Sequence, residues 1–330
     1  MYIKKLEEIY EPNIKLRQVF KYRLRSKFFG SDNAIMDAYD NGILNDKDVE
    51  MFKFIYEVKI ATKEQILKRC PWLDEYLFDK NVKKWVHERY LNVFVLSNEE
   101  DQVITDDALK FYTIDFCTIT LLSHFVADND VYNWNPRSLI MPLASIKKIL
   151  LATDFRIACE TKLARQPISF DCYRLFTFGR FRLIPEAQVF MNVAKEDDMI
   201  LQKPYLELTY TQEDFDCGDK TRVNENLGRY ENWLEKDAWK ANFKEAPTIW
   251  VVTDTAETMG YVQKIVEEMA EAEELRAKNT GVTVEKPFHR VVRVTCKPMF
   301  NENLENCFIK YNMEENKWVR TKAFFLAEKI

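Results

Sequence analysis

The chain has 330 residues, 47% hydrophobic and 31% charged, with a formal net charge of −5; this is the composition of a folded globular chain long enough for two domains with separate cores. Seven glycines supply neither G-x-G-x-x-G nor G-x-x-x-x-G-K-[ST], since Gly218-Asp219-Lys220-Thr221 has the wrong upstream spacing, so dinucleotide binding and P-loop chemistry lack a phosphate cradle. Three histidines and no H-E-x-x-H leave zinc hydrolysis without ligands, and net acidity argues against nucleic acid unless the cations gather locally.

Cations do gather at the N-terminus. Residues 1–30 hold eight Lys and Arg against three Glu, a local charge of +5. The opening Met1-Tyr2-Ile3-Lys4-Lys5-Leu6, with Glu7 and Glu8 behind it, lacks the apolar core of a secretory signal, which points to the cytoplasm. Within residues 10–29, Ile14, Leu16, Val19, Phe20 and Leu24 interleave with basic residues. Residues 1–45 are therefore expected to form a basic arm or helix. It either lies along DNA or packs amphipathically with its cations in water.

Asp46 or Asp48 caps a helix whose apolar residues Val49, Phe52, Ile55 and Tyr56 recur at helical spacing. Thr62-Lys63-Glu64-Gln65 is a capping-box pattern opening a second helix, stopped by Pro71. A third helix is expected from Asp74 or Glu75 to Glu88. It turns Leu77, Phe78, Val82, Trp85 and Val86 inward and Lys80, Asn81, Lys83, Lys84, His87 and Arg89 outward. A strand at 90–96, a turn at 97–101, a return strand at 102–105 and a helix at 106–112 follow. Helix, helix, basic helix and hairpin make the order of a winged helix-turn-helix, whose third helix enters the major groove. Asn81, Lys83, Lys84 and Arg89 are the candidate DNA-binding residues of this domain, 46–112. A solvated basic face and a protein-docking module remain open readings, and Glu99, Glu100 and Asp101 at the wing tip would be repelled by phosphate.

Residues 113–144 read as a connecting region, broken by Asn133-Trp134-Asn135-Pro136 and Met141-Pro142. The apolar run at 114–127 contains Asp115, Ser123 and His124 and is too short to span a bilayer, so no membrane partner is expected. Residues 145–330 read as an α/β domain. A helix from 145 to about 165 carries Glu160, and strands follow at 172–178, 181–192 and 204–211. Then come a helix at 220–242, an apolar strand at 248–253, a capped helix to about Lys278 and a strand at 289–296. A final hairpin pairs 307–311 with 318–326 and turns near Glu314-Glu315-Asn316.

Glu186 and Glu207 fall on strands expected side by side, and two neighbouring carboxylates are the minimum that holds Mg²⁺ at a scissile phosphate. Polar residues at an accessible sheet face or edge are the plainer account of both. Arg180 and Arg182 alternate with Phe181 and Leu183 along one strand. With Arg174, Lys220, Arg222 and Arg229 they form either a second DNA surface or salt bridges to Glu186, Glu207 or Glu225. The seven cysteines are scattered without C-x-x-C, which points to reduced, buried thiols.

The order α-β-β-β-α-β-α-β resembles the core of the restriction-endonuclease-like PD-(D/E)XK nucleases, with Glu160 on the first helix, Glu186 after Pro185, and Glu207 in Tyr205-Leu206-Glu207-Leu208-Thr209. Lys220 and Tyr230 lie on a helix ahead of Pro247-Thr248-Ile249-Trp250-Val251-Val252. With the winged helix in front, the chain over roughly 46–296 is similar to the replication-relaxation family of plasmids and conjugative elements. The resemblance implies an α+β protein: an N-terminal winged helix-turn-helix followed by an α/β restriction-endonuclease-like domain with a mixed central sheet. It implies a DNA-binding protein of a mobile genetic element, serving plasmid replication, DNA relaxation or the relaxosome. Its partners would be double-stranded DNA and replication or relaxosome proteins, or a second copy in a homodimer.

An active site of this kind would use Glu160, Glu186, Glu207 and Lys220, with Mg²⁺ or Mn²⁺ on Glu186 and Glu207. Two departures stand against activity. Glu replaces Asp at 186, and Thr209 stands where an active nuclease has lysine. Losing such a charge-stabilising group costs on the order of 10²–10³ in rate, unless Lys220 or Lys203 substitutes. The expectation is a nuclease-like domain that binds or assembles without cutting. The alternatives are an active Mg²⁺- or Mn²⁺-dependent endonuclease, and a docking adaptor, inhibitor or transcriptional regulator built on the winged helix.

Overall fold

The computed structural model describes residues 15–18, 31–97, 108–126, 141–162, 168–194, 200–216, 220–281 and 287–321. The chain divides into two compact units, Met1–Thr153 and Asp154–Ile330. It is an α+β protein with eleven helices among the described residues.

The first unit runs β1 (Lys15–Gln18), α1 (Asp32–Asp40), α2 (Asp46–Val58), β2 (Ala61–Thr62), α3 (Lys63–Arg69), α4 (Glu75–His87), β3 (Leu91–Ser97), β4 (Lys110–Ile114), α5 (Phe116–Ser123) and the first half of α6 (Leu143–Lys162). Capping chemistry sets the helix starts. Asn45 Oδ1 accepts from the amides of Lys47 and Asp48 at 2.9 and 3.3 Å, and the Asp48 carboxylate accepts from the Asn45 amide at 3.1 Å. Thr62 and Gln65 repeat the reciprocal pair at α3, at 3.2 and 3.1 Å. The apolar faces meet in an aromatic core. Phe52 stacks on Tyr90 at 5.7 Å and meets Trp85 edge-on at 5.8 Å, while Phe78 meets Tyr112 at 5.1 Å. A four-stranded antiparallel sheet, in the order β1-β3-β4-β2, closes the unit.

Several sequence expectations change here. The helix expected at 106–112 is replaced, from Lys110 onward, by β4. Phe111 pairs with Phe94, and Tyr112 pairs with Ala61, so sheet pairing on both sides overrides the local helical pattern. The return strand at 102–105 and the acidic wing tip lie outside the described residues. In the expected N-terminal arm, residues 15–18 form a strand paired with β3, and residues 32–40 form a helix. The remainder of the arm lies outside the described residues. Residues 116–123, expected as connection, form α5 capped by Asp115, and the two units divide after Thr153, within α6.

The second unit continues α6 and adds β5 (Ile168–Cys172), β6 (Phe176–Phe178), β7 (Phe181–Leu183), β8 (Ala187–Ala194), β9 (Ile200–Tyr210), α7 (Glu213–Asp216), α8 (Lys220–Glu235), β10 (Thr248–Thr253), α9 (Ala256–Thr280), α10 (Phe288–Val291), β11 (Val292–Cys296), α11 (Lys297–Glu302), β12 (Phe308–Asn312) and β13 (Lys317–Thr321). Its mixed seven-stranded sheet has the order β13-β12-β11-β10-β9-β8-β5. The three strands β9, β10 and β11 are parallel and β8 is antiparallel to β9. β10 is the centre of the core: Ile249, Trp250, Val251 and Val252 are wholly buried, as a strand covered on both faces requires. Trp250 stacks on Tyr205 at 4.2 Å and on Phe308 at 5.4 Å.

The strand expected at 181–192 is broken. β7 ends at Leu183 and β8 begins at Ala187, with Pro185 between them denying the ladder a donor. β5 likewise ends at Cys172, where Tyr173 turns into the left-handed region at φ 59°. β6 and β7 therefore form a separate two-stranded hairpin outside the main sheet. The helix expected at 220–242 ends at Glu235, before Asp237 at φ 53° and a short 3₁₀ turn. Residues 288–291 are a helical turn, so the strand expected from 289 starts at Val292. The C-terminal hairpin turns as expected, between Asn312 and Lys317.

Candidate functional site

Residues 205, 207 and 209 lie on one face of β9, because side chains alternate along a strand. β8 starts beside Glu207, with Ala187 opposite it, so Glu186 arrives at the same place from the neighbouring strand. The Glu186 amide donates to the Glu207 carbonyl at 2.9 Å. Thr209 then joins the two carboxylates. Its amide donates to Glu186 Oε2 at 3.0 Å and its hydroxyl to Glu207 Oε1 at 3.3 Å.

Glu207 is 1% exposed, and its second oxygen, Oε2, has no hydrogen-bond partner among the described residues. Burial pushes its carboxyl well above the usual carboxylate range, and the charge of Glu186 pushes it further; the Thr209 hydroxyl and Arg156 oppose this. The hydroxyls of Tyr210 and Tyr230 are raised the same way, by burial first and then by Glu186. Tyr210 accepts from Asn226 Nδ2 of α8 at 2.9 Å.

Glu160, the expected third acid, is engaged by an arginine of its own helix. On α6 it accepts from Arg156 Nε at 2.9 Å, one helical turn away, and Arg156 Nη1 also reaches Cys172 Sγ at 3.5 Å. Arg156 lies over the Phe170 ring at 5.2 Å and is almost fully buried. Sequence reasoning missed this arginine, although its i,i+4 spacing to Glu160 was there to be seen. Among the described residues no three His, Cys, Asp or Glu side chains gather to hold a metal ion. A divalent cation therefore finds two of its expected ligands together, one of them favouring its proton, and the third already paired.

The lysines considered as substitutes do not complete the site. Lys203 lies on the same face of β9, but four residues before Glu207, about 13 Å along the strand. Tyr205 stands between them, with Lys203 Nζ 5.8 Å from its ring centre. Lys220 opens α8, and its side chain lies outside the described residues.

On α4 the exposed surface has two halves. Lys63 Nζ ties down Glu75 and Asp79 of the first turns, at 2.8 Å each. Between them Tyr76 is 73% exposed, and beyond them come exposed Lys80 and Lys83, with Asn81 and Lys84 half-buried alongside. Arg89 is committed differently: it pairs with the buried Asp115 at 3.4 Å and lies over the Phe116 ring at 5.9 Å. Asp115 caps α5, so Arg89 is an internal tie rather than a member of the α4 row.

Arg180 and Arg182 are both exposed but do not share a strand. Arg180 sits in the hairpin turn beside Gly179 at φ 55°, and Arg182 lies within β7 opposite Thr177. Arg174 pairs with Asp171 at 3.1 Å and Arg229 with Glu225 at 3.9 Å. Among the described residues no salt bridge joins Arg180 or Arg182 to Glu186, Glu207 or Glu225. No family model, curated protein or solved structure matches the chain. No helix among the described residues is long and apolar enough to cross a membrane.

Proposed function

We propose that this chain is a DNA-binding protein of a mobile genetic element, similar to the replication-relaxation proteins, in which a winged helix docks on double-stranded DNA and a nuclease-like unit binds or assembles without cutting. The observation that carries the reading is Thr209. It occupies the lysine's place and supplies one amide and one hydroxyl to Glu186 and Glu207. Both are neutral donors, and neither offsets the charge that develops on a phosphate under attack. Supporting it are the pairing of Glu160 with Arg156 and the element order α6, β5, β8, β9, α8, β10, α9, β11, in which the β6–β7 hairpin is an addition. In the first unit, α2, α3, α4 and the β3–β4 pair follow the order of a winged helix, and Lys80, Lys83 and Lys84 give α4 a basic second half.

The test is a paired assay on supercoiled plasmid: gel shift in EDTA, then incubation with Mg²⁺ or Mn²⁺. Binding without nicking is expected. A second reading rests on Glu207 Oε2, which is buried without a hydrogen-bond partner among the described residues; with Glu186 it would supply ligands for a divalent cation. Under that reading the chain is an endonuclease, and nicking would appear with Mn²⁺ and vanish in Glu207→Gln. Absence of any DNA retention at low salt would defeat both and favour a docking module.

A further inference from the structure

The β6–β7 hairpin and the α8 face beside it carry a chemistry that the duplex-docking helix does not need. Phe176 pairs with Leu183 and Phe178 with Phe181, so these four share the hairpin face toward α8, while Thr177 and Arg182 face away and are exposed. Phe176 and Leu183 are buried, but Phe181 remains 37% exposed, and the flanking Leu175 and Ile184 are 49% and 52% exposed. One short hairpin and its flanks thus leave three large apolar side chains exposed, more than ordinary scatter supplies.

Cations surround them. The guanidinium carbons of Arg180 and Arg229 lie 5.7 and 6.0 Å from the Phe181 ring centre, and Lys236 Nζ lies 5.6 Å from that of Phe178. Arg229 and Lys236 are seven residues apart, two helical turns or about 10.5 Å along the α8 direction. Residues 174–184 contain three arginines and no carboxylate, in a chain of net charge −5. The pairs Arg174–Asp171 and Arg229–Glu225 are exposed on both sides, and such pairs exchange cheaply for another anion.

We infer that this hairpin and the adjoining face of α8 bind single-stranded nucleic acid, a surface distinct from α4 that rests on the DNA-binding reading above. Charge alone fits any polyanion; the exposed rings select among them. A duplex keeps its bases stacked inside and offers the hairpin only phosphates, leaving Phe181, Leu175 and Ile184 in water. An acidic peptide satisfies the arginines and has no aromatic faces to lay on the rings. A single strand supplies both, phosphates to Arg180, Arg182, Arg229 and Lys236 and unstacked bases to Phe181 and the guanidinium planes. The chain leads from Leu183 to Glu186 in three residues, about 10 Å at most, so the hairpin joins directly to one member of the carboxylate pair.

The experiment measures binding of the full chain to labelled 20-nucleotide oligothymidylate and to a 20-base-pair duplex by fluorescence anisotropy across a salt series. Phe181→Ala is expected to weaken oligothymidylate binding about tenfold, within the usual effect of losing one stacking aromatic, and to leave duplex binding unchanged. Phe181→Leu keeps apolar packing without the π-face and should behave as the alanine variant, whereas Phe181→Tyr should behave as wild type. Arg180→Ala/Arg182→Ala should lower the single-strand salt slope by about 1.4, at about 0.7 per phosphate contact. Oligothymidylate affinity within twofold of wild type in Phe181→Ala, or full retention in Phe181→Leu, overturns the inference, as does no single-strand binding at all. Single-strand binding through Phe181 with no duplex binding would support this surface and remove duplex docking from the account. Duplex binding through Lys83 and Lys84 without single-strand binding would do the reverse.

Discussion

Glu207 is a carboxyl group that water does not reach, with a second carboxylate for a neighbour and a threonine hydroxyl as its donor. Its consequence for stability has a definite sign. Burial, and then Glu186, hold its folded pKa above the ordinary value of 4.5, so the folded chain keeps a proton that the unfolded chain releases. Its contribution is fully present below about that pH and is lost as pH rises toward the folded pKa. Replacing it with glutamine, a neutral group of the same shape, removes that loss. Glu207→Gln is therefore expected to match wild type in Tm near pH 4.5 and to exceed it at pH 7 to 8. A Tm difference that stays constant across this range would mean that Glu207 is ionised in the folded chain.

At the scale of the element, the caps and the charge rows make the testable statements. The reciprocal Asn45–Asp48 pair satisfies amides at the start of α2 that no helical carbonyl can reach. Asn45→Ala should cost about 1 kcal/mol, read as a lowered midpoint of urea unfolding; an unchanged midpoint would show that solvent replaces the cap at no cost. α4 separates its charges along its length, acids near its N-terminus under Lys63 and cations toward its C-terminus, the arrangement its dipole favours. Under the proposed DNA-binding function, the later half is the one that would contact DNA, its lysines meeting phosphates as point charges rather than reading base edges. Lys83→Ala/Lys84→Ala should weaken duplex binding evenly across sequences and reduce the salt slope by about 1.8, at about 0.9 per contact. Unchanged binding in that variant would remove α4 from the DNA account.

For the whole molecule, cohesion comes from two aromatic-rich cores without covalent staples among the described residues. Phe52, Phe78, Trp85 and Tyr90 serve one unit, and Tyr205, Trp250 and Phe308 the other. The six described cysteines form no disulfide with one another, five of them are buried, and burial pushes Cys117 and Cys307 up to about 11. A thiol at that pKa holds little reactive thiolate at neutral pH. In the native protein a thiol reagent should therefore label at most two of the seven cysteines quickly, all seven reacting only in denaturant, and reducing agent should leave Tm unchanged. Fast labelling of more than two would contradict the burial.

The sequence by itself determined what neighbours along the chain decide. Capping residues and helical spacing locate α2, α3, α4 and α9, and an unbroken apolar run locates β10, because each signal is read within a few residues. It also brought Glu186 and Glu207 to adjoining strands. Contacts between distant segments decided the rest. Residues 110–112 look helical alone and become β4 because β2 and β3 offer them backbone partners on both sides. Arg156 takes one Glu160 oxygen into an ion pair, and Thr209 reaches both carboxylates only because β8 and β9 are in register. The hairpin with its exposed phenylalanine exists because Pro185 breaks the ladder and α8 covers one hairpin face. Local propensity is a matter of tenths of a kcal/mol per residue, whereas pairing and burial act over whole elements, and the site lies where they meet.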